Sequence, residues 1–380
     1  MTIASDATER SSGRILFLCP DATTPYGGIK AMYQMVDVLV ESGFDAYIWH
    51  ASPRTEMSWF PSQTPVLAEP KLRLQERDVL VVPEMLGPNY ARTASRANVV
   101  ILNQNHFHVF RGAGLQDDWP GTYPGWPNAV AVITTSRAIR NFVDFLVRDE
   151  IPVFDLSYWI DSRVFTPGEK QSKIVVLTRR RRTDLVTIVQ LLRRSSFLHD
   201  WDVLPVDGLA ERELAELLGT ARIFISLSNR EGLGLPPAEA MASGCYVIGF
   251  TGDGGREFML PEFCSPVEDQ NLLEVLTEVE RAAGLWAAEP LVMSQKVKAS
   301  RDFVLTHFSY ERFRTNLVSA FEELTRTGSP ARQQDEFYLT HYSAIKPPSN
   351  LEKLLSRTSP LIPAGMRRYW RHRRKLGRST

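Results

Sequence analysis

The chain has 380 residues, 43% of them hydrophobic, and its 44 basic residues balance its 44 acidic residues. This length predicts two domains of ordinary size, and the zero net charge excludes a general electrostatic attraction to nucleic acid. The three cysteines have neither disulfide-framework nor metal-ligand spacing, so a cytoplasmic location is expected. Residues 1–13 are polar, which argues against a signal peptide, and no apolar run approaches the roughly 20 residues that a transmembrane helix needs.

The first part of the chain alternates continuous apolar segments with helical patterns. After a disordered N-terminus over residues 1–13, the predicted strands lie at 13–19, 46–49, 79–83, 98–103 and 129–134. Helices are predicted over 29–42, where apolar residues recur at helical spacing, and from about Ser136. Strands that are apolar on both faces and alternate with helices indicate a parallel sheet. We expect this sheet to form a domain over residues 14–160.

A second series of strands and helices follows a break at 150–168, which contains two prolines and a glycine. Its predicted strands lie at 173–177, 201–204, 223–227 and 246–250, and its predicted helices at 184–194, 211–218 and 310–326. A second domain is expected over 161–328, followed by a linker and tail over 329–380. The sequence therefore predicts an α/β protein with two parallel-sheet domains, in which ligands bind at the carboxyl ends of the strands.

The segment 228–244 follows an apolar strand and predicts a turn that leads into a helix. Pro236 and Pro237 stand where the first helical turn tolerates proline, and Gly244 is placed to end the helix. We expect Glu239 in the first turn. A strand-to-helix turn of this kind exposes backbone N–H groups at the positive end of a helix dipole, which favours phosphate.

Two glutamates, Glu231 and Glu239, flank this phosphate-favouring turn. Carboxylates do not favour phosphate themselves, but they accept hydrogen bonds from hydroxyls on either side of it. A ligand with phosphate in its middle and hydroxyl-rich groups at both ends is a nucleotide sugar. The alternative is a surface loop and an amphipathic helix in which both glutamates are merely solvated.

The run from Ser228 to Gly244 resembles the donor-binding signature of retaining nucleotide-sugar glycosyltransferases of family 4, in which seven residues separate two glutamates. The resemblance implies the GT-B fold, with two Rossmann-like domains facing a central cleft. It implies that 14–160 is the acceptor-side domain and 161–328 the nucleotide-sugar-binding domain. It also implies that Glu231 contacts the donor sugar and Glu239 the ribose. The expected donor-binding residues are Gly27, Gly28, Arg179, Arg182, Glu231, Gly232, Leu233, Gly234, Leu235 and Glu239.

The segment 155–167 resembles the interdomain segment of the same family. Asp161, Phe165 and Pro167 match the family pattern. Tyr158 and Trp159 stand where the family usually has Asn-Gly, so a different local loop is expected there.

Glycine and arginine residues supply two further candidate anion contacts. Gly27 and Gly28 allow close approach of the backbone to a ligand at a helix start, although a plain tight turn explains them too. The absence of a G-x-G-x-x-G pattern there argues against a nicotinamide enzyme. Arg179 follows a predicted strand and matches a family arginine that clamps the diphosphate. The family lysine a few residues later is missing, and Arg181 or Arg182 is the candidate replacement.

Two further polar segments follow predicted strands. His106 and His108 are both candidates for the family histidine that contacts the transferred sugar, and His106 is favoured because it is closer to the strand end. A polar loop with no catalytic part is the alternative for either. The glycine-rich segment 251–257 ends in Glu257, which matches a family glutamate, but a plain turn explains this segment nearly as well.

The C-terminal segment 360–378 interleaves basic residues with Tyr369 and Trp370. This composition favours an anionic membrane surface, and the alternatives are an inert tail or, less favoured, nucleic acid binding. A cytoplasmic protein that is peripheral on the inner face of the membrane is therefore expected.

The resemblance implies a retaining hexosyltransferase that moves a sugar from a nucleotide diphosphate to a glycan or lipid-linked acceptor, as in polysaccharide biosynthesis. The expected catalytic residues are Glu231, His106 and Arg179. No cofactor is expected, and no metal is required because the sequence lacks the Asp-x-Asp pattern that carries a divalent ion in other transferases. The alternatives are a GT-B sugar-nucleotide epimerase, a non-catalytic GT-B scaffold, and a glycoside hydrolase that uses Glu231 and Glu239 as acid and nucleophile.

Overall fold

The computed structural model describes residues 13–22, 26–53, 59–60, 62–177, 181–326 and 336–345. The chain divides into a unit spanning Met1–Tyr342, which holds every strand described here, and a unit spanning Ser343–Thr380. The predicted basic segment 360–378 and residues 1–12 of the predicted disordered N-terminus lie outside the described residues. Within the described ranges, no helix combines the length and apolar character needed to cross a membrane.

Strands and helices alternate along most of the described chain. In chain order the elements are β1 (Ile15–Leu18), α1 (Gly27–Glu41), β2 (Ala46–His50), β3 (Val66–Ala68), β4 (Lys71–Leu74), β5 (Val79–Pro83), α2 (Pro88–Thr93), β6 (Asn98–Asn103), β7 (Ala129–Thr134), α3 (Arg137–Val147), β8 (Val153–Asp155), β9 (Gln171–Leu177), α4 (Arg182–Arg194), β10 (Asp202–Val206), α5 (Glu211–Thr220), β11 (Ala221–Leu227), α6 (Leu235–Ala242), β12 (Tyr246–Phe250), β13 (Ser265–Val267), α7 (Leu272–Ala288), α8 (Pro290–His307), α9 (Tyr310–Arg326) and β14 (Phe337–Thr340).

The first domain is built on a parallel sheet with the strand order β3-β2-β1-β5-β6-β7-β8. Its central strands are buried on both faces, because helices cover the sheet on each side. The strand order reverses between β1 and β5, so the connections leave these two strands in opposite directions. A crevice at the carboxyl ends of the strands is expected at such a point.

The second domain is built on a parallel sheet with the order β10-β9-β11-β12-β13, which reverses between β9 and β11. The prediction of two parallel-sheet domains is confirmed. The predicted strands 79–83, 98–103, 129–134 and 246–250 have the bounds that the structure shows.

The last helix of the predicted second domain crosses back to the first domain. On α9, Phe321 packs its ring 6.1 Å from Phe17 of β1, and Asn316 donates a hydrogen bond to the carbonyl oxygen of Asp155. The helix itself is confirmed over 310–326, but its place in a domain over 161–328 differs from the prediction. The reason is that its apolar face completes the core of the first sheet.

The chain also forms a strand where a linker was expected. Residues 337–340 make β14, which pairs antiparallel with β4 on the first domain. The adjoining His341 is buried, and its Nε2 lies 3.1 Å from the carbonyl oxygens of Cys19 and Trp49. Burial lowers the pKa of His341 to about 4. The strand is only four residues long and partly exposed, so it lacks the continuous apolar pattern of the buried strands, and it closes over the ends of β1 and β2.

Tyr158 and Trp159 are core residues of the connection between the domains. The ring of Tyr158 lies 5.7 Å from Phe313, and the ring of Trp159 lies 5.0 Å from Tyr310, both on α9. The aromatic pair thus fixes the outgoing connection against the returning helix, and a loop that differs from the family's stays a prediction.

Candidate functional site

A cavity of about 450 Å³ lies where the carboxyl ends of the two sheets face each other. Its lining residues include Leu177 at the end of β9 and residues that follow β1, β5 and β6 of the first domain and β11 of the second. The cavity thus sits at the reversal points of both sheets, as open α/β folds predict for a ligand site. The predicted site residues that line it are Gly27, Gly28, Glu231, Gly232, Leu233, Gly234, Leu235 and Glu239.

Two helices point their N-termini into this cavity. A Cβ atom at Gly27, the first residue of α1, would lie 3.4 Å from Cδ1 of Leu235, the first residue of α6. Neither N-terminus has a side-chain capping hydrogen bond, and neither first turn carries an acidic residue. Their backbone N–H groups and positive dipole ends therefore favour an anion between the two domains.

The predicted place of Glu239 in the first turn of its helix is wrong. The helix begins at Leu235, because Gly234 adopts the left-handed conformation with φ of 78° and ends the loop there. Pro236 and Pro237 take the next two positions, so Glu239 lies in the second turn. Glu239 lines the cavity together with Tyr158 and Glu211. Burial is the main cause that raises the pKa of Tyr158, and the negative charges of Glu211 and Glu239 raise it further.

The loop around Glu231 is held by the first domain on both sides. Asn105 Nδ2 donates to the carbonyl oxygen of Arg230 at 3.0 Å, and Ser136 Oγ donates to that of Gly232 at 2.7 Å. A Cβ atom at Gly232 would lie 2.4 Å from the carbonyl oxygen of Gln104, so only glycine fits. Glu231 is consequently fixed in position at the boundary between the two domains.

An ion pair crosses the cavity between the domains. Lys30 of α1 lies 2.6 Å from Glu211 of α5, and the two side chains are only 13% and 12% exposed. Lys30 also lies 5.8 Å from the ring centroid of Phe165, in the connection between the domains. Both charged residues line the cavity, and neither was predicted as a site residue.

The two candidate histidines make different contacts. His106 places Nε2 3.0 Å from Asp253 of the second domain and packs its ring against Phe107 and Phe142. His108 places Nδ1 3.4 Å from Glu84, which lines the cavity. In the segment that directly follows β6, Gln104 and Asn105 line the cavity, whereas His106 and His108 are not among its lining residues. A catalytic part for His106 stays a prediction.

The three arginines considered as diphosphate contacts also differ in where the structure places them. Arg179 lies outside the described residues. Arg182 is the first residue of α4 and is exposed, away from the cavity lining. Arg181 forms ion pairs with Asp184 and Asp269 and lies 5.0 Å from the ring centroid of Phe250. The structure thus assigns Arg181 contacts within its own domain.

The glycine-rich segment 251–257 packs against the Glu231 loop. A Cβ atom at Gly254 would lie 2.1 Å from the carbonyl oxygen of Gly232. Glu257 accepts a hydrogen bond from the backbone N–H of Arg137 in the first domain at 3.2 Å, and burial raises the pKa of Glu257. This segment therefore contributes packing and an interdomain hydrogen bond beside the cavity.

Sequence reasoning missed Glu84, Gln104, Lys30 and Glu211, all of which line the cavity. Glu84 and Gln104 each come directly after a predicted apolar strand, which is the available signal. Lys30 and Glu211 lie in first helical turns and gave no such signal.

The family "Glycosyl transferases group 1" matches residues 206–280, a range that includes Glu231 and Glu239. An alpha-1,6-glucosyltransferase of Actinobacillus pleuropneumoniae is 29% identical over 239 residues, covering 60% of this chain and 69% of that protein. Among solved structures, sucrose-phosphate synthase from Thermosynechococcus elongatus gives a TM-score of 0.60 at 14% identity, covering 83% of this chain and 100% of that chain. Anabaena HepE in complex with UDP and glucose gives 0.56 at 12% identity, with 82% and 100% covered.

These structural similarities confirm the predicted GT-B fold, in which two Rossmann-like domains face a central cleft. The family match covers β11 and α6, so the segment that carries Glu231 and Glu239 is similar to group 1 glycosyl transferases.

Proposed function

We propose that this protein transfers a sugar from a nucleotide diphosphate to an acceptor hydroxyl with retention of configuration, as the family 4 signature implies. The observation that carries the proposal is the convergence of two uncapped helix N-termini on one cavity, flanked by Glu231 and Glu239. A diphosphate fits the paired N-termini, and the two carboxylates fit the sugar and the ribose on either side.

Each donor group has a proposed partner. The diphosphate binds the N–H groups at Gly27–Gly28 and at Gly234–Leu235, and Glu239 binds the ribose hydroxyls. Glu231 binds the transferred sugar, because the first domain holds its loop against the domain boundary. Arg179 follows β9 in the sequence, and the last residue of β9, Leu177, lines the cavity, which supports Arg179 as the diphosphate clamp.

Catalysis rests on stabilising the negative charge that develops on the departing diphosphate. The two helix N-termini and Arg179 supply positive potential without a divalent ion, so we propose that no metal or cofactor is needed. Closure of the domains aligns the acceptor and excludes water. The hydrogen bonds from Asn105 and Ser136 to the Glu231 loop support such an arrangement, because they join the two domains at the reaction centre.

We propose UDP-glucose as the first donor to test. A relative is an alpha-1,6-glucosyltransferase, and a protein of similar fold has been solved with UDP and glucose. We propose a glycan or lipid-linked acceptor in polysaccharide biosynthesis. Residues 360–378 are proposed to hold the protein on an anionic inner membrane surface, and binding to phosphatidylserine vesicles with and without these residues tests that.

The decisive experiment is a UDP-release assay with UDP-glucose, with and without glycan acceptors, in the presence of EDTA. Acceptor-dependent release of UDP with an α-linked product, identified by NMR of the anomeric proton, supports the proposal. Conversion of the donor sugar without any acceptor would instead identify an epimerase. Binding of UDP with no turnover of any UDP-, GDP- or dTDP-sugar would identify a non-catalytic scaffold.

A further inference from the structure

We propose that Glu84 binds the acceptor, and that its carboxylate selects a neutral saccharide hydroxyl over a phosphorylated acceptor. This inference rests on the proposed function, because it assigns the acceptor half of the same cavity. Glu84 comes from the first domain and lines the cavity that Glu231 lines from the second.

The fold places Glu84 where a ligand group is expected. It follows β5 directly, at the point where the strand order of the first sheet reverses. The residue is only 5% exposed, yet it lines the cavity. A buried carboxylate is stable only when hydrogen bonds or opposite charges replace water, so its contacts decide what it can still bind.

Two contacts hold the Glu84 carboxylate and leave it further capacity. Oε2 accepts a hydrogen bond from the backbone N–H of Gln104 at 3.3 Å, and Oε1 lies 3.4 Å from Nδ1 of His108. An ionised carboxylate offers about four lone-pair positions. The backbone N–H of Gln104 occupies one of these positions, and the others are available to hydroxyl groups in the cavity.

The residue that holds Glu84 also connects it to the donor site. Gln104 Nε2 donates to the carbonyl oxygen of Gly28 at 3.0 Å, at the N-terminus of α1. The next residue, Asn105, donates to the carbonyl oxygen of Arg230, which precedes Glu231. Glu84 therefore lies beside the point where the proposed sugar site meets the proposed diphosphate site, which is where an acceptor hydroxyl must arrive.

The chemistry of a carboxylate sets the class of acceptor. It accepts hydrogen bonds from sugar hydroxyls, whereas it repels a phosphate or carboxylate group on the acceptor. Glu84 is an acceptor-binding residue in this account, and no proton transfer to it is required. The structure thus favours a neutral sugar at the reacting end of the acceptor.

The test uses the full chain with UDP-glucose as donor and two acceptor probes, methyl α-D-glucopyranoside and α-D-glucose 1-phosphate, which have the same free hydroxyls and differ in the group on C1. We expect Glu84→Gln to raise KM for methyl α-D-glucopyranoside at least tenfold and to leave the dissociation constant for UDP within twofold of wild type. The wild-type protein is expected to prefer the neutral probe at least tenfold in kcat/KM.

Asp78→Asn is the matched control. Asp78 is a buried carboxylate that immediately precedes β5, at the opposite end of the strand, and it pairs with Arg14 at 2.5 Å. This variant should lower the melting temperature and leave the acceptor KM unchanged. Should Glu84→Gln not fold, Glu84→Asp, which keeps the charge and retracts it, is expected to raise the acceptor KM at least threefold.

An unchanged acceptor KM in a folded Glu84 variant overturns the proposal, as does a wild-type preference for α-D-glucose 1-phosphate or a loss of UDP binding equal to the loss of acceptor binding. If wild type turns over no sugar nucleotide, the proposed function fails separately. Saturation-transfer NMR of methyl α-D-glucopyranoside on the UDP-loaded protein then decides, and no signal, or equal signals from wild type and Glu84→Gln, overturns the assignment.

Discussion

The second-domain wall of the cavity comes mostly from one continuous segment, 226–239, whereas the first-domain wall is assembled from residues that follow several separate elements. A strand, a glycine turn and a helix N-terminus are adjacent in the sequence, so one segment forms the second-domain part of the proposed donor site. Glu84, Gln104 and Gly28 meet only because β5, β6 and α1 share one edge of a sheet. The second-domain wall therefore depends on local sequence, whereas the first-domain wall depends on how the sheet and α1 are arranged.

Replacement of Glu231 should have the largest effect on activity. We expect Glu231→Ala to lower kcat by about 100-fold or more, because it removes the proposed contact to the sugar in the transition state. UDP binding should persist, since the helix N-termini proposed to bind the diphosphate are unchanged. Steady-state kinetics and calorimetric titration with UDP check this, and turnover equal to wild type would contradict the assignment.

Gly232→Ala tests how closely the two walls must fit. The added Cβ atom would lie 2.4 Å from the carbonyl oxygen of Gln104 and 2.9 Å from Cα of Asn105. We expect kcat/KM to fall by about 10-fold to 100-fold, since a misplacement of about 1 Å near reacting groups has this order of effect.

Gly284→Ala is the control for this substitution. Gly284 lies within α7, and a Cβ atom there meets nothing within 4 Å. The values of kcat and KM should be unchanged. The free energy of unfolding should rise by about 0.5–1 kcal/mol, because alanine has a higher helix propensity than glycine. Wild-type kinetics in Gly232→Ala would show that the loop can move without loss of function.

Acid should loosen the first domain more than the second. His341 is neutral in the folded protein because burial lowers its pKa to about 4, whereas in the unfolded chain it titrates near 6.5. Its contribution to stability is complete above the unfolded pKa and is lost as pH falls towards 4. From 6.5 to 4 this loss is about 3 kcal/mol.

Melting temperatures of wild type and His341→Gln between pH 7 and pH 4 measure how much stability His341 loses in acid. The variant is expected to show the weaker pH dependence of the two. Hydrogen exchange should locate the acid-induced opening at β4, β14 and the ends of β1 and β2. Parallel pH curves for the two proteins would remove His341 from the explanation.

The Lys30–Glu211 ion pair joins the two walls, and its loss should have the smallest effect. We expect Lys30→Met and Glu211→Gln each to weaken UDP binding a few-fold, because the remaining charge is left partly buried. The double variant should lose less than the sum, with a coupling of about 0.5 kcal/mol, at the low end of what contacting residues show. Calorimetric titration with UDP measures the cycle, and strictly additive losses would mean that the pair does not link the domains.

Much of the fold could be predicted from sequence, because buried parallel strands are continuous apolar runs. Val79–Pro83 and Tyr246–Phe250 are buried at every position, and their bounds were predicted correctly. The strands that were missed are short or partly exposed, such as Val66–Ala68 and Phe337–Thr340, so they lack that pattern.

The site divides for a similar physical reason. Glu231 and Glu239 stand in a segment whose turn and helix signals are local, so their approach to a common cavity could be predicted. Glu84 and Lys30 acquire their places from strand order and domain contact, which a single sequence does not encode locally. The place of Glu239 in the second turn of α6 was also missed, because the left-handed conformation at Gly234 sets where that helix begins.

The chain leaves the first domain near Ile160 and returns to it near Phe308, and the backbone N–H of Ile160 donates to the carbonyl oxygen of Phe308 at 3.1 Å. The intervening residues therefore begin and end at one point, like a cassette inserted into the first domain. Exchange of this cassette between related enzymes at these two positions would move Glu231, Glu239 and the N-terminus of α6 as one piece. The host would keep Glu84 and the N-terminus of α1, so such chimeras would separate what each wall contributes to the choice of donor and acceptor.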